Sequence, residues 1–92
     1  MSALRETVTI VNQRGLHARA SAKFVNMVTL LPESLDVKVA KDGTEAAGGS
    51  ILGLMMLGAA KGDTIEISVA GDGANEALEQ LAALVRDGFG ET

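Results

Sequence analysis

His17 is the one histidine in the sequence, and the residue types around it suit an anion. It lies in Asn12-Gln13-Arg14-Gly15-Leu16-His17-Ala18-Arg19-Ala20-Ser21-Ala22-Lys23-Phe24, just after a glycine turn and just before a run that reads as a helix. No Asp or Glu occurs from Thr7 to Pro32, whereas Arg14, Arg19 and Lys23 do, so the span is a positive island on a chain of net charge −4. A helix N-terminus offers unpaired N–H groups and a partial positive charge. Neutral imidazole is a nucleophile. The planar guanidinium of Arg19, two residues on, suits two-point contact with phosphate oxygens. Together these make a phosphoryl acceptor. The same spacing also fits a surface histidine or a helix cap, and the residue types alone leave both readings open.

Two fragments add to this. Gly15-Leu16-His17-Ala18-Arg19 resembles the active-site segment of the HPr family, the histidine-containing phosphocarrier proteins of the phosphoenolpyruvate-dependent phosphotransferase system. Ser50-Ile51-Leu52-Gly53-Leu54-Met55 is similar to that family's regulatory serine segment. The motifs come in the family's order, and the resemblance spans nearly all 92 residues. It implies one HPr-like phosphocarrier domain over 1–92. His17 would be the acceptor, by analogy on Nδ1, and Arg19 would stabilise the phosphate. Ser50 would be a regulatory phosphorylation site, and Ile51, Leu52 and Met55 would dock partners. The implied partners are enzyme I as donor, an enzyme IIA-type acceptor and a serine kinase/phosphorylase. The implied protein is a carrier and not an enzyme, a monomer that needs no cofactor. The family has proline after its arginine, where this chain has Ala20. Alanine is tolerated in a first helical turn, so the departure bears on local rigidity and on a carbohydrate-uptake role more than on phosphoryl transfer. A nitrogen-type regulatory branch is the alternative subtype.

Composition narrows the alternatives. Ninety-two residues make one small domain. The 47% hydrophobic content is enough for a core, which Val, Ile, Leu, Ala and Met must build because Phe24 and Phe89 are the only aromatics. The absence of Trp and Tyr speaks against a base-stacking platform, and the net negative charge against a nucleic-acid partner. With no cysteine and one histidine, disulfides, thiolate sites and multi-histidine metal sites are excluded. No signal-peptide pattern and no apolar run of membrane length occurs, so the expectation is a cytoplasmic protein.

The elements that must position these residues follow from periodicity. Arg5 to Val11 alternates, with Val8 and Ile10 on one side, and predicts a first strand. A helix is expected over Ala18–Leu31, its apolar face formed by Ala18, Ala22, Val25 and Val28 beside Phe24, Met27 and Leu31, ending before Pro32. Leu35–Lys41 and Thr44–Ala47 read as two strands joined by Asp42-Gly43, a hairpin signal. Ser50–Leu57 reads as a short uncharged helix capped by Ser50. Leu54 and Leu57 share one face, and Ile51, Leu52 and Met55 share another. Periodicity favours full burial of this helix. A domain this small has trouble burying every side of a helix, which leaves an apolar docking patch as the alternative. Thr64–Ala70 is the last strand. Asp72 is a candidate N-cap for a helix over Ala74–Asp87, with Gly88 as its stop and Phe89 folding back onto it.

The order β-α-β-β-α-β-α, with one apolar face per strand, predicts an α+β open-faced two-layer sandwich: a four-stranded antiparallel sheet with three helices on one side. The fold implied by the HPr resemblance is the same. Two other classes fit the pattern. One is a small-molecule-binding regulatory domain of the ACT type, which would not need His17. The other is an interaction module that uses the Ile51–Met55 patch alone.

Overall fold

The computed structural model describes residues 3–91. The chain runs β1 (Leu4–Thr9), α1 (Ala18–Thr29), β2 (Asp36–Lys41), β3 (Thr44–Ala47), α2 (Ile51–Met56), β4 (Thr64–Ala70) and α3 (Ala74–Arg86), followed by a 3₁₀ turn at Gly88–Gly90. The four strands form one antiparallel sheet in the order β1-β4-β2-β3.

Alternation decides which side of the sheet is covered. Val8, Val37, Val39, Ala46, Ile65, Ile67 and Val69 point inward and are buried. The helices cover that side: α3 packs on β1 and β4, while α1 packs on α2 and α3. Phe24, Leu54, Leu81, Val85 and Phe89 fill the space between the layers. The opposite face carries charge, with Arg5 paired to Glu66 at 3.2 Å and Lys38 between Asp36 and Glu45, each at 3.8 Å. Asp42 (φ 50°) and Gly43 (φ 83°) both adopt the left-handed conformation of the tight hairpin turn between β2 and β3, as their sequence predicts.

Several expectations need correction. β1 ends at Thr9, and Val11 is exposed beyond it. Ile10 instead bonds across to the loop before β4, donating to the Asp63 carbonyl at 2.8 Å and accepting from Gly62 N–H at 2.8 Å. α1 stops at Thr29, two residues short of the predicted end. Leu30 N–H is shared between the Asn26 and Met27 carbonyls, and Leu31 N–H goes to Val28, which tightens the last turn ahead of Pro32. The buried stripe of α1 is Ala20, Ser21 and Phe24, and Ala18 is exposed. The bulk of Phe24 sets that face, and the residues three and four positions before it follow it inward. Leu35 lies in a turn before β2, half-buried. Asp72 does not cap α3. The N-cap is Gly73 in the left-handed region (φ 86°), with no side-chain bond. The short helix is not fully buried either: Leu54 and Leu57 are inside, but Ile51, Leu52, Met55 and Met56 are exposed.

Candidate functional site

The loop before α1 is held by its own backbone. Gly15 N–H bonds to Asn12 O at 3.2 Å, and Leu16 N–H to Ala59 O at 3.0 Å, with the Leu16 side chain buried. Gly15 has φ 62° and passes so close to the 59–60 segment that a Cβ there would run into the Ala59 carbonyl and the Ala60 backbone. A glycine is therefore required two residues before His17.

His17 is the N-cap of α1, with extended backbone (φ −75°, ψ −178°). Its carbonyl accepts the Ser21 N–H at 2.9 Å, the first helical bond. Its ring takes the place of the usual capping oxygen: Nδ1 accepts the Arg19 N–H at 3.3 Å. That bond settles the tautomer, because a backbone N–H can only donate. Nδ1 carries the lone pair, and in the neutral ring the proton lies on Nε2. Ser21, buried in the same turn, donates its hydroxyl to Leu16 O at 3.2 Å and ties the helix start to the loop. Ala20 lies in the first turn, where its N–H has no helical carbonyl to bond.

An open cavity of about 410 Å³ adjoins this helix start, lined by Gln13, Arg14, Arg19, Lys23, Gly90 and Glu91. It brings together all three cations of the positive island. None of the three has a carboxylate within 4.0 Å among the described residues. Lys23 Nζ instead donates to the Phe89 carbonyl at 2.7 Å.

The residue that sequence reading missed is Glu91. Its Oε2 is 2.7 Å from His17 Nε2, and its Oε1 accepts from Asn12 Nδ2 at 3.0 Å. The second Asn12 N–H bonds Gly15 O at 2.9 Å. Asn12 is thus more than a turn residue: it connects Glu91 to the loop that carries His17. The Asn12 hydrogen bond holds the Glu91 carboxyl below its usual 4.5, helped by the His17 hydrogen bond and the charges of His17 and Lys23, while partial burial opposes the shift.

Ser50 caps α2, its Oγ accepting the Gly53 N–H at 2.9 Å. α2 packs against α1, so the serine segment and the histidine segment occupy neighbouring elements. Leu52 and Met56 are 68% and 76% exposed, Ile51 and Met55 about 40%, which makes a contiguous apolar surface with Met56 added to the expected three. Among the described residues, no group of three or more His, Cys, Asp or Glu could hold a metal ion. No helix there is long and apolar enough to cross a membrane.

Comparison with known proteins gives concordant matches. A family model described as "PTS HPr component phosphorylation site" matches residues 4–87. The phosphocarrier protein HPr of Neisseria meningitidis serogroup A is 42% identical over 88 residues, covering 96% of this chain and 97% of that one. The phosphocarrier protein NPr of Escherichia coli K12 is 36% identical over 91 residues, with 96% and 97% covered. The crystal structure of HPr-C-His from Thermoanaerobacter tengcongensis superposes with a TM-score of 0.89 at 36% identity, covering 97% of this chain and 98% of that one.

Proposed function

The chain belongs to the HPr family of phosphocarrier proteins of the phosphotransferase system, and from that premise we propose that it takes a phosphoryl group from phosphorylated enzyme I onto His17 and hands it to an enzyme IIA-type acceptor. The observation that carries the reading is the His17 cap. Its Nδ1 lone pair faces the start of α1, beside a cavity lined by Arg14, Arg19 and Lys23.

In the forward step the Nδ1 lone pair forms a bond to phosphorus, and the bond from phosphorus to the donor breaks with its electron pair leaving on the donor. Nδ1 then no longer accepts from Arg19 N–H, and that group, with the other free N–H groups of the first turn, is available to phosphoryl oxygens. The Arg19 guanidinium matches the developing charge in two-point fashion, and Arg14 and Lys23 add positive potential. Because the protein itself only positions the group and stabilises charge, it acts as a carrier through a transient phosphohistidine. Ile51, Leu52 and Met55, with Met56, form the docking face for both partners. Phosphorylation of Ser50 by an HPr-type serine kinase regulates that docking. The downstream branch is carbohydrate uptake or a nitrogen-type regulatory chain.

The test is incubation with purified enzyme I and phosphoenolpyruvate, followed by site mapping. An acid-labile phosphate on His17 is expected, absent from a folded His17→Ala protein. Normal labelling of that variant would sink the reading.

A further inference from the structure

The phosphoryl-acceptor reading uses cations and N–H groups around His17, yet the shorter of the ring's two polar contacts is to a carboxylate. A carboxylate in an anion cavity repels the incoming phosphate, so its presence needs a reason. It is also held with care. Glu91 Oε1 is gripped by Asn12, Glu91 N–H bonds to Gly88 O at 3.0 Å, and the preceding turn is fastened by Lys23 on the Phe89 carbonyl. Asn12 directs both amide hydrogens to Gly15 O and Glu91, which leaves its buried Oδ1 without a hydrogen-bond partner among the described residues. An unpaired buried oxygen is costly, so holding Glu91 in place outweighs satisfying Asn12.

The two ring nitrogens have opposite partners. Arg19 N–H points at Nδ1, which accepts it, and Glu91 faces Nε2, which carries the proton in the neutral ring. We propose that Glu91 is the positioning residue for phosphoryl acceptance: it fixes the ring with Nδ1 toward the helix start, covers Nε2, and holds the positive charge that forms when Nδ1 bonds to phosphorus. The inference rests on the reading of His17 as acceptor. As the Nδ1–P bond forms and the phosphorus–donor bond breaks, the ring becomes a cation that still carries its Nε2 proton. That proton stays in a hydrogen bond to the carboxylate, now charge-assisted on both sides and stronger than before transfer. When phosphorus leaves for the next acceptor, the electron pair returns to Nδ1 and the ring is neutral again. The carboxylate contacts the ring on the side away from Nδ1, so its attraction to the ring exceeds its repulsion of the phosphate.

The experiment has two arms on ¹⁵N-histidine-labelled wild type, Glu91→Gln and Glu91→Ala proteins, with unfolding midpoints measured in parallel. In the unphosphorylated proteins, exchange of the His17 Nε2 proton with water is followed by NMR. In the second arm, phosphoryl uptake from phosphorylated enzyme I is measured as kcat and KM. Glu91→Ala should exchange that proton faster and lose on the order of ten-fold in kcat with KM unchanged, since the contact strengthens only as charge forms. Glu91→Gln should fall between, because a neutral amide oxygen still accepts a hydrogen bond but carries no charge. If wild type takes phosphate and Glu91→Ala matches it in kcat, or exchanges its Nε2 proton at the wild-type rate, the inference is overturned while the carrier reading stands. A wild type that takes no phosphate overturns the carrier reading and, with it, the role in transfer.

Discussion

At the scale of the residue, Arg19 separates charge from geometry. It is exposed and has no ion pair among the described residues, so replacing it removes nothing from the folded state. Arg19→Lys keeps the charge and loses the planar fork, and Arg19→Ala loses both. Phosphoryl transfer should slow in the order wild type, Lys, Ala, with unfolding free energies within about 0.5 kcal/mol of one another, the usual range for surface changes. Equal transfer rates in all three would remove Arg19 from the site. The same scale shows what a sequence reveals of a site. His17, Arg19 and the Gly15 turn lie within five positions, where helix geometry links them directly. Glu91 is 74 positions from His17, and no local pattern connects the two. Asn12 was legible only as a turn former, because its second role depends on that distant carboxylate.

At the scale of the element, α2 carries the clearest difference between pattern and structure. Its sequence is apolar all round, and periodicity groups Leu54 with Leu57 without saying whether the other side is covered. Only packing decides that, and α2 meets α1 and β3 through one side. The two faces should respond differently. Leu54→Ala, at a fully buried position, should cost about 2–5 kcal/mol of stability. Met55→Glu, on the exposed face, should leave the midpoint nearly unchanged and weaken binding to enzyme I and to the enzyme IIA-type acceptor. Calorimetric titration with each partner checks this, and a large stability loss from Met55→Glu would refute the docking role. The cap of the same helix gives a companion test. Ser50→Ala removes the bond to Gly53 N–H and should cost about 1 kcal/mol while transfer persists. A phosphate on Ser50 meets the positive end of the helix, so the fold should hold, but about two negative charges beside an apolar docking face should penalise association. Phosphorylated Ser50 protein that accepts phosphate from enzyme I as fast as the unmodified form, across enzyme concentrations, would leave the serine with its cap alone. The Asp42-Gly43 hairpin was legible because a two-residue turn is local chemistry. The start of α3 was not, because the chain enters it through left-handed Gly73 and the exposed Asp72 never reaches the helix N–H groups.

At the scale of the molecule, the turn after α3 couples the core to the site. The inward valines and isoleucines and the one-sided helices follow from alternation, whereas the strand order β1-β4-β2-β3 does not. The route of residues 88–91 across the start of α1 follows only from the closed fold. Phe89 is buried in the core at φ 58°, its carbonyl is held by Lys23, and two residues later Glu91 reaches His17 and Asn12. This coupling predicts a pH signature in global stability. The Glu91 carboxyl is held below its usual 4.5, chiefly by Asn12. A group with a depressed folded-state value contributes stability that is fully present above the unfolded value and is lost as pH falls through the folded one. Wild type should therefore exceed Glu91→Gln in stability from neutral pH down to about 4.5, and the margin should close below it. Urea unfolding of both proteins along that pH series measures it, and parallel curves through the acid range would show that Glu91 is not held by its partners. Phe89→Ala extends the test through the fold. Removing that side chain should cost about 3–5 kcal/mol, and it should also shrink the Glu91-dependent margin above pH 4.5, because the carboxylate reaches its partners only from a turn that Phe89 anchors. A full Glu91 margin in the Phe89→Ala background would mean that the turn holds its place without the core, and that site and core are independent.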